Sequence, residues 1–489
     1  MARAQKLTQS EIDGVSYRCA PTWAIAIGQM QNGCAMAFYT LMGMATYMAN
    51  SGYGMALTVA GVVLTVTRLF DGVIDPFLAV WIDKFQSKFG KLRIMMLIGF
   101  VIRALAVLML FVWFSDGSHG IVMFVALYLL NIVGNSIYDI AGNMIPAVAT
   151  NDPKQRPTVQ VWATIFNYGF PMIFSIISSM VLLPMYGNQY TVPYMKHVCL
   201  VQLGFAAVLL LISFIGLTPI DKPENFKGIS AGGGDDVSVK DMLQFLKSNK
   251  PFQLYVVSAV SDKLAQNVGS QAIVSTLLFG ILVGNVQLGT MLTVISMIPG
   301  IIFAIIGAKY AGKHGNKEAT VKWTWACTVV AVLTAVFCMC IDMKQIGTNT
   351  ILMVVFFLCL LAGNAAKMCV TTANGAMRAD IVDYELDRSG KYLPAVVTAT
   401  YNFIDQFVTS LGATIATFCV AALGYVNTAP QPGDPVTMGL KWMTMFLYFG
   451  LPILGWICTI IAMKGYHLDK AEMVNVQKRI ADKKAELTK

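Results

Sequence analysis

Long apolar runs separated by short polar turns dominate this chain. Runs of about 20 residues are long enough to cross a bilayer. Twelve of them occur, at 19–48, 53–83, 93–115, 120–148, 158–186, 195–219, 251–283, 287–309, 321–341, 349–377, 393–424 and 440–463. The pattern predicts an all-α membrane protein with twelve transmembrane helices. The longest polar interruption, near Asp221 to Lys250, splits them into two blocks of six. The expected plan is a cytoplasmic N-terminus (1–18), an N-terminal six-helix bundle (19–219), a cytoplasmic linker (220–250), a C-terminal six-helix bundle (251–464) and a cytoplasmic tail (465–489). Within the linker, "KGISAGGGDD" is glycine-rich and charged, and 239–249 reads as a short surface helix. The tail reads as a solvated amphipathic helix. The first apolar run is too long for a cleaved signal peptide.

Composition agrees with this pattern: 56% of the 489 residues are hydrophobic and only 12% charged, against about a quarter charged in soluble domains. The net charge of +9 is unevenly placed. Lys84, Lys88, Lys91 and Arg93 follow span two, Lys309, Lys313, Lys317 and Lys322 surround the loop after span eight, and Lys470, Lys478, Arg479, Lys483 and Lys484 fill the tail. The opposite turns (49–54, 116–119, 284–286) are almost free of basic residues. This is the positive-inside signature. It places both termini in the cytoplasm, in the inner membrane if the source is bacterial, and accounts for the charge without nucleic acid.

Several chemistries lack their parts. The ten cysteines include no CxxC pair and mostly lie in apolar runs, where thiols pack as small hydrophobes. His119, His197, His314 and His467 lie at loops or span ends without metal-ligand spacing, and no phosphate-binding G-x-x-x-x-G-K-[ST] is present. No nucleophile–base pair can be assembled, so an enzyme is not expected. Gradient-driven transport remains. Two six-span halves, each with a short basic loop after its second helix ("DKFQSKFGKLR", "AKYAGKHGNKEATVK"), resemble the major facilitator fold, which binds solute between its halves near the midplane.

Charges inside the spans carry the functional signal, since each costs roughly 2.5 kcal/mol or more at a helix centre. In "TRLFDGVIDP" (67–76), Arg68, Asp71 and Asp75 fall at i, i+3 and i+7, on one helix face. Asp75 lies nine residues before Lys84, roughly 13 Å of rise and so near mid-bilayer. Two carboxylates one turn apart can hold one proton between them, or offer oxygens to a hard cation. The alternative is a structural Arg68–Asp71 bridge, which leaves Asp75 unexplained. Span four places Ser136 and Asp139 on one face in "GNSIYDIAGN".

"RLFDGVIDP" followed by "DKFQSKFGKLR", "SIYDI" (136–140) and "ADIVDYELDRSGK" (379–391) together resemble signatures of the glycoside–pentoside–hexuronide:cation symporters, the family that includes the melibiose carrier. The resemblance implies that Asp71 and Asp75 bind the coupling cation, a proton or Na+, with Ser136 where the family often has a threonine ligand. It implies that Asp139 meets sugar hydroxyls, with Arg68 beside the site. It implies a monomer in the lipid bilayer whose partners are a small-molecule solute and a coupling cation, with no cofactor. The departures are informative. Ile74 stands where sodium-coupled members often place asparagine, which favours protons. The family's span-one Asp or Asn falls on Asn32 or Gly33. Asn143 replaces an aromatic that stacks on the sugar, the span-five arginine falls near Thr164, and the span-eleven lysine falls at Gln406.

The C-terminal half adds charges of its own. Asp262 and Lys263, about a dozen residues into span seven, point about 100° apart. Lys367 lies in span ten and Asp405 in span eleven beside Gln406. Lys263 or Lys367 could pair with Asp262 or Asp405, or meet substrate directly, and a surplus lysine would suit a carboxylate such as a uronide. Asp380, Asp383 and Arg388, read as a loop with Glu385, Asp387 and Lys391, suit cytoplasmic gating bridges to basic loops of the other half. The expected function is cation-coupled symport of a glycoside, uronide or related polar solute by alternating access. The rivals are the same fold carrying a lipid-like, steroid or carboxylate solute, and a non-transporting sensor.

Overall fold

A computed structural model of the chain describes residues 19–85, 87, 89–150, 155–226, 239–390 and 394–487. Most of the glycine-rich linker stretch, the first 18 residues, Lys88 and Lys391 lie outside these. The described residues form helices joined by turns. Eight helices are long and apolar enough to cross a membrane, and two bent pairs raise the number to ten.

Two more crossings precede these ten in the chain. Span one is three helices, Thr22–Gly28, Gln31–Met42 and Ala45–Tyr53, where the sequence suggested one run. At its breaks the amides of Met30 and Met44 reach back three residues, to Ile27 O (3.1 Å) and Leu41 O (3.0 Å), the tighter turn that ends an α-helix. Span two is a continuous helix, Leu57–Lys84, that carries Arg68, Asp71 and Asp75. The fold is therefore all-α with twelve transmembrane helices. Outward-facing Val101, Leu105, Leu211, Ile215, Val329 and Leu333 are exposed, a surface suited to lipid.

The chain forms two compact units, one of Met1–Gly54 with Phe70–Gly234, the other of Met55–Leu69 with Asp235–Lys489. Inside the first, spans one and six approach through glycines. A Cβ on Gly216 would lie 2.3 Å from the Gly28 amide nitrogen, so only hydrogen fits there. Small residues at such crossings let helix backbones pack where no hydrophobic force drives them together.

In the second unit, helix Val239–Ser248 is amphipathic, as its sequence suggests, but it does not float in solvent. Its Phe245 packs on Phe252 at 4.7 Å, within a buried cluster containing Tyr255, Tyr401 and Tyr466. Span seven, expected as one run, bends by 60° between Lys250–Gly269 and Ala272–Leu282. Span ten continues as a helix from Thr350 to Ser389, so its acidic residues stand on a helix and not in a loop. The tail helix, Lys470–Leu487, is docked instead of solvated. Val476 is fully buried, Lys470 Nζ donates to Lys313 O (2.7 Å), and Gln477 Nε2 donates to Asp383 (2.7 Å). Arg479 bridges Asp387 (2.7 Å) and Glu472 (2.8 Å), and its hydrogen bond holds the Glu472 carboxyl below the usual range. Three of the ten cysteines, Cys19, Cys340 and Cys458, are exposed.

Candidate functional site

Span two delivers its carboxylates to span four within the first unit. The Ser136 hydroxyl donates to Asp71 Oδ1 at 2.6 Å. Asp75, one turn on, is close to the same serine and within electrostatic reach of Asp71 and Asp139. Its Oδ1 is buried and makes no hydrogen bond among the described residues. Asp139 accepts from Asn135 Nδ2 at 2.9 Å. Three carboxylates thus occupy one polar pocket, with donors for some oxygens and none for Asp75 Oδ1. A buried carboxylate oxygen without a donor is costly unless a cation or proton meets it.

A cation that the sequence reasoning missed stands beside them. Spans three and four cross through Gly99 and Gly134, where a Cβ on either would lie within 2.9 Å of the other's carbonyl oxygen. That close approach brings Arg103 inward. It is 3% exposed, its guanidinium lies 4.2 Å over the Phe38 ring, and its Nε and Nη1 make no hydrogen bond among the described residues. Asp139 is the carboxylate that acts on it most strongly, and Asp71 acts on it less. The signal was present as a lone arginine in "GFVIRALAVL" (99–108), but its partners lie on other helices.

The remaining expectations for this unit are placed as follows. Asn32 spends its amide locally, on Gln29 O (3.1 Å) and Gln29 Oε1 (2.6 Å). A Cβ on Gly33 would collide with the Phe170 ring, so this position is tied to packing. Asn143 is exposed on span four; Arg68, three residues before Asp71 on span two, belongs to the second unit and is half-buried.

The second unit sorts the ambiguous charges. Lys263 pairs with Asp405 at 2.8 Å, and its ammonium lies 5.2 Å from the Tyr401 ring centre. Asp262, 4% exposed, accepts instead from two neutral donors, Trp456 Nε1 (2.8 Å) and Gln266 Nε2 (2.8 Å). Lys367 has Asp262 as its nearest charged influence and sits 5.8 Å from the Trp456 ring centre. It lines a cavity of ≈ 350 Å³ with Gln266, Ser270, Thr293, Asn364 and Tyr448. Gln406 is half-buried beside Asp405. A larger hollow of ≈ 560 Å³ lies under the tail helix, far in sequence from the mid-span charges, and is bounded mainly by loop and tail residues.

The acidic residues ending span ten have partners in their own unit. Asp380 accepts from Asn316 Nδ2 (2.7 Å), Asp383 from Gln477, and Arg388 pairs with Glu385 (3.0 Å) while donating to Ser248 O (2.8 Å). They brace the tail helix and helix Val239–Ser248.

The chain is similar over 464 residues, at 20% identity, to YagG of Escherichia coli (strain K12), named as a putative glycoside/cation symporter; the match covers 94% of this chain and 95% of that one. It is 20% identical over 445 residues to the isoprimeverose transporter of Lactiplantibacillus pentosus, covering 90% and 87%. Among solved structures, the crystal structure of a mutant of the nucleoside transporter NupG superposes with a TM-score of 0.61 at 14% identity, over 90% of this chain and 99% of that one. Thus the helices share the fold of a known transporter, and the pattern of one family runs through nearly all of them, from residue 23 to residue 470: the chain belongs to the MFS/sugar transport protein family.

Proposed function

We propose that the protein is a secondary transporter that imports a glycoside, uronide or related small polar solute together with one cation, by alternating access. The observation that carries this reading is the span-two pocket, where Asp71 is engaged by Ser136 while Asp75 keeps a buried oxygen without a hydrogen bond among the described residues. The names of the relatives, a glycoside/cation symporter and an isoprimeverose transporter, support the same chemistry. Asp71, Asp75 and Ser136 hold the cation, and Asp139 and Arg68 border the solute. In the second unit, Lys367 and Gln406 contact it, while Asp262 and the Lys263–Asp405 pair support them. Asn143 is a weaker solute contact, Asn32 shapes the span-one break, and Asp380, Asp383 and Arg388 steady the cytoplasmic end.

The coupling ion in this reading is a proton. Ile74 offers no oxygen to a metal cation. A proton on a carboxylate needs no ligand shell. In this reading the protein lies in the inner membrane and works as a monomer, with both termini cytoplasmic, the orientation that the basic loops support.

Proteoliposome uptake of labelled glycosides and uronides under an imposed proton or sodium gradient tests the reading. The expected result is accumulation of one solute class under the proton gradient. Accumulation under sodium alone would replace the ion, and none under either gradient would overturn the assignment.

A further inference from the structure

We infer that the second unit carries an anion subsite centred on Lys367, which selects a solute bearing a carboxylate. This rests on the transport reading above and narrows its solute class.

The cavity between the bent span seven and spans eight, ten and twelve is ≈ 350 Å³, within the roughly 300–1,000 Å³ of small-molecule sites. Among the described residues Lys367 is the one charged side chain on its wall, and no carboxylate lines it. The ammonium makes no hydrogen bond or ion pair with them. Asp262, which balances its charge from a distance, already has both oxygens engaged by Trp456 and Gln266. An ammonium has three protons to donate and no acceptor capacity, so the cavity offers a strong donor without a partner. Ser275 and Tyr448, which carry neutral donors, also line the wall.

The bend in span seven does not compete for a cation. Broken helices in transporters expose backbone carbonyls that can coordinate one, but here they are capped. Gln266 O accepts from the Ser270 amide (3.0 Å), Asn267 O from Ser270 Oγ (2.9 Å) and Gln271 Nε2 (3.2 Å), and Val268 O from the Gln271 amide (3.2 Å). What remains unmet at the cavity is positive. A neutral sugar would leave the ammonium hydrogen-bonded only to hydroxyls, whereas a carboxylate gives the stronger, charge-assisted bond. The negative charge a carboxylate brings is balanced by the co-transported cation.

Calorimetric binding to the purified full chain tests this, with matched probes: D-glucuronate against D-glucose and D-galacturonate against D-galactose. The uronate of at least one pair should bind about tenfold more tightly than its neutral partner. Lys367→Gln should bring the two level, and Lys367→Arg, which keeps the charge, should retain the preference even if Lys367→Gln folds poorly. Equal binding of both members of each pair to the wild-type protein, or a preference that persists in a folded Lys367→Gln, would overturn the subsite. Parallel uptake separates the two ideas. Gradient-driven accumulation of sugars without carboxylate preference removes the subsite and leaves symport standing. Lys367-dependent uronate binding without accumulation under any gradient does the reverse.

Discussion

Asp75→Asn is expected to abolish uphill accumulation while leaving solute exchange intact. The substitution keeps the size of the side chain and removes its charge, so in the proposed reading it mimics the cation-bound state. In the native protein Asp75 shares its pocket with Asp71 and Asp139 and has a buried oxygen without a hydrogen bond among the described residues. Carrying that charge through a dry interface is costly, and a cation must neutralise it before the halves can rock. With asparagine the requirement vanishes, and with it the coupling. One pH unit of gradient is worth about 1.4 kcal/mol, or roughly tenfold accumulation per proton, and the variant should fall to simple equilibration. Counterflow of labelled solute against unlabelled solute should persist. A variant that still accumulates solute under the gradient would remove Asp75 from the coupling site. Loss of counterflow as well would show a structural part for it.

Arg103→Met is expected to destabilise the protein by about 3–5 kcal/mol, the typical penalty for stranding one member of a buried charge pair. The guanidinium is almost fully buried over Phe38, and Asp139 is the carboxylate that acts on it most strongly. Removing it leaves Asp139 with the Asn135 amide at 2.9 Å as a donor among the described residues. The double variant Arg103→Met with Asp139→Asn should recover most of the loss, because both charges then go together. Denaturation of purified protein in detergent measures both. Equal losses in the single and double variants would place the cost in packing around Phe38 and Gly134, not in charge.

Crossings and carboxylates were legible in the sequence because each obeys a one-dimensional rule. Apolar length marks a span, and i, i+3, i+7 spacing put Asp71 and Asp75 on one face before any neighbour was known. Ser136 followed from the family pattern, and the structure joins it to Asp71. What could not be read depends on helix rotation and crossing. Asp262 and Lys263 are adjacent, and only the packed bundle decides that Lys263 reaches Asp405 while Asp262 turns to Trp456. Arg103 was exposed to the same cost argument as Arg68, yet a lone arginine does not announce its counter-charge. Its position depends on Gly99 and Gly134 letting two backbones meet. The bend after Gly269 and the docked tail were hidden for a related reason. A Gly-Ser step and an amphipathic face permit these features, and tertiary contacts decide whether they form.

The placement of the exposed thiols makes the protein its own orientation reporter. Cys19 lies at the start of span one and Cys340 at the far end of span nine, on opposite sides of the bilayer in the proposed topology, whereas Cys458 is exposed within span twelve. A thiolate is the reactive species and forms readily only in water, so a lipid-facing Cys458 is a poor target. An impermeant maleimide added to intact cells therefore reaches Cys340, and one added to inside-out vesicles reaches Cys19. The sidedness of the start of span one and of the far end of span nine can be read by mass spectrometry of the native chain, without introducing a tag or a single substitution.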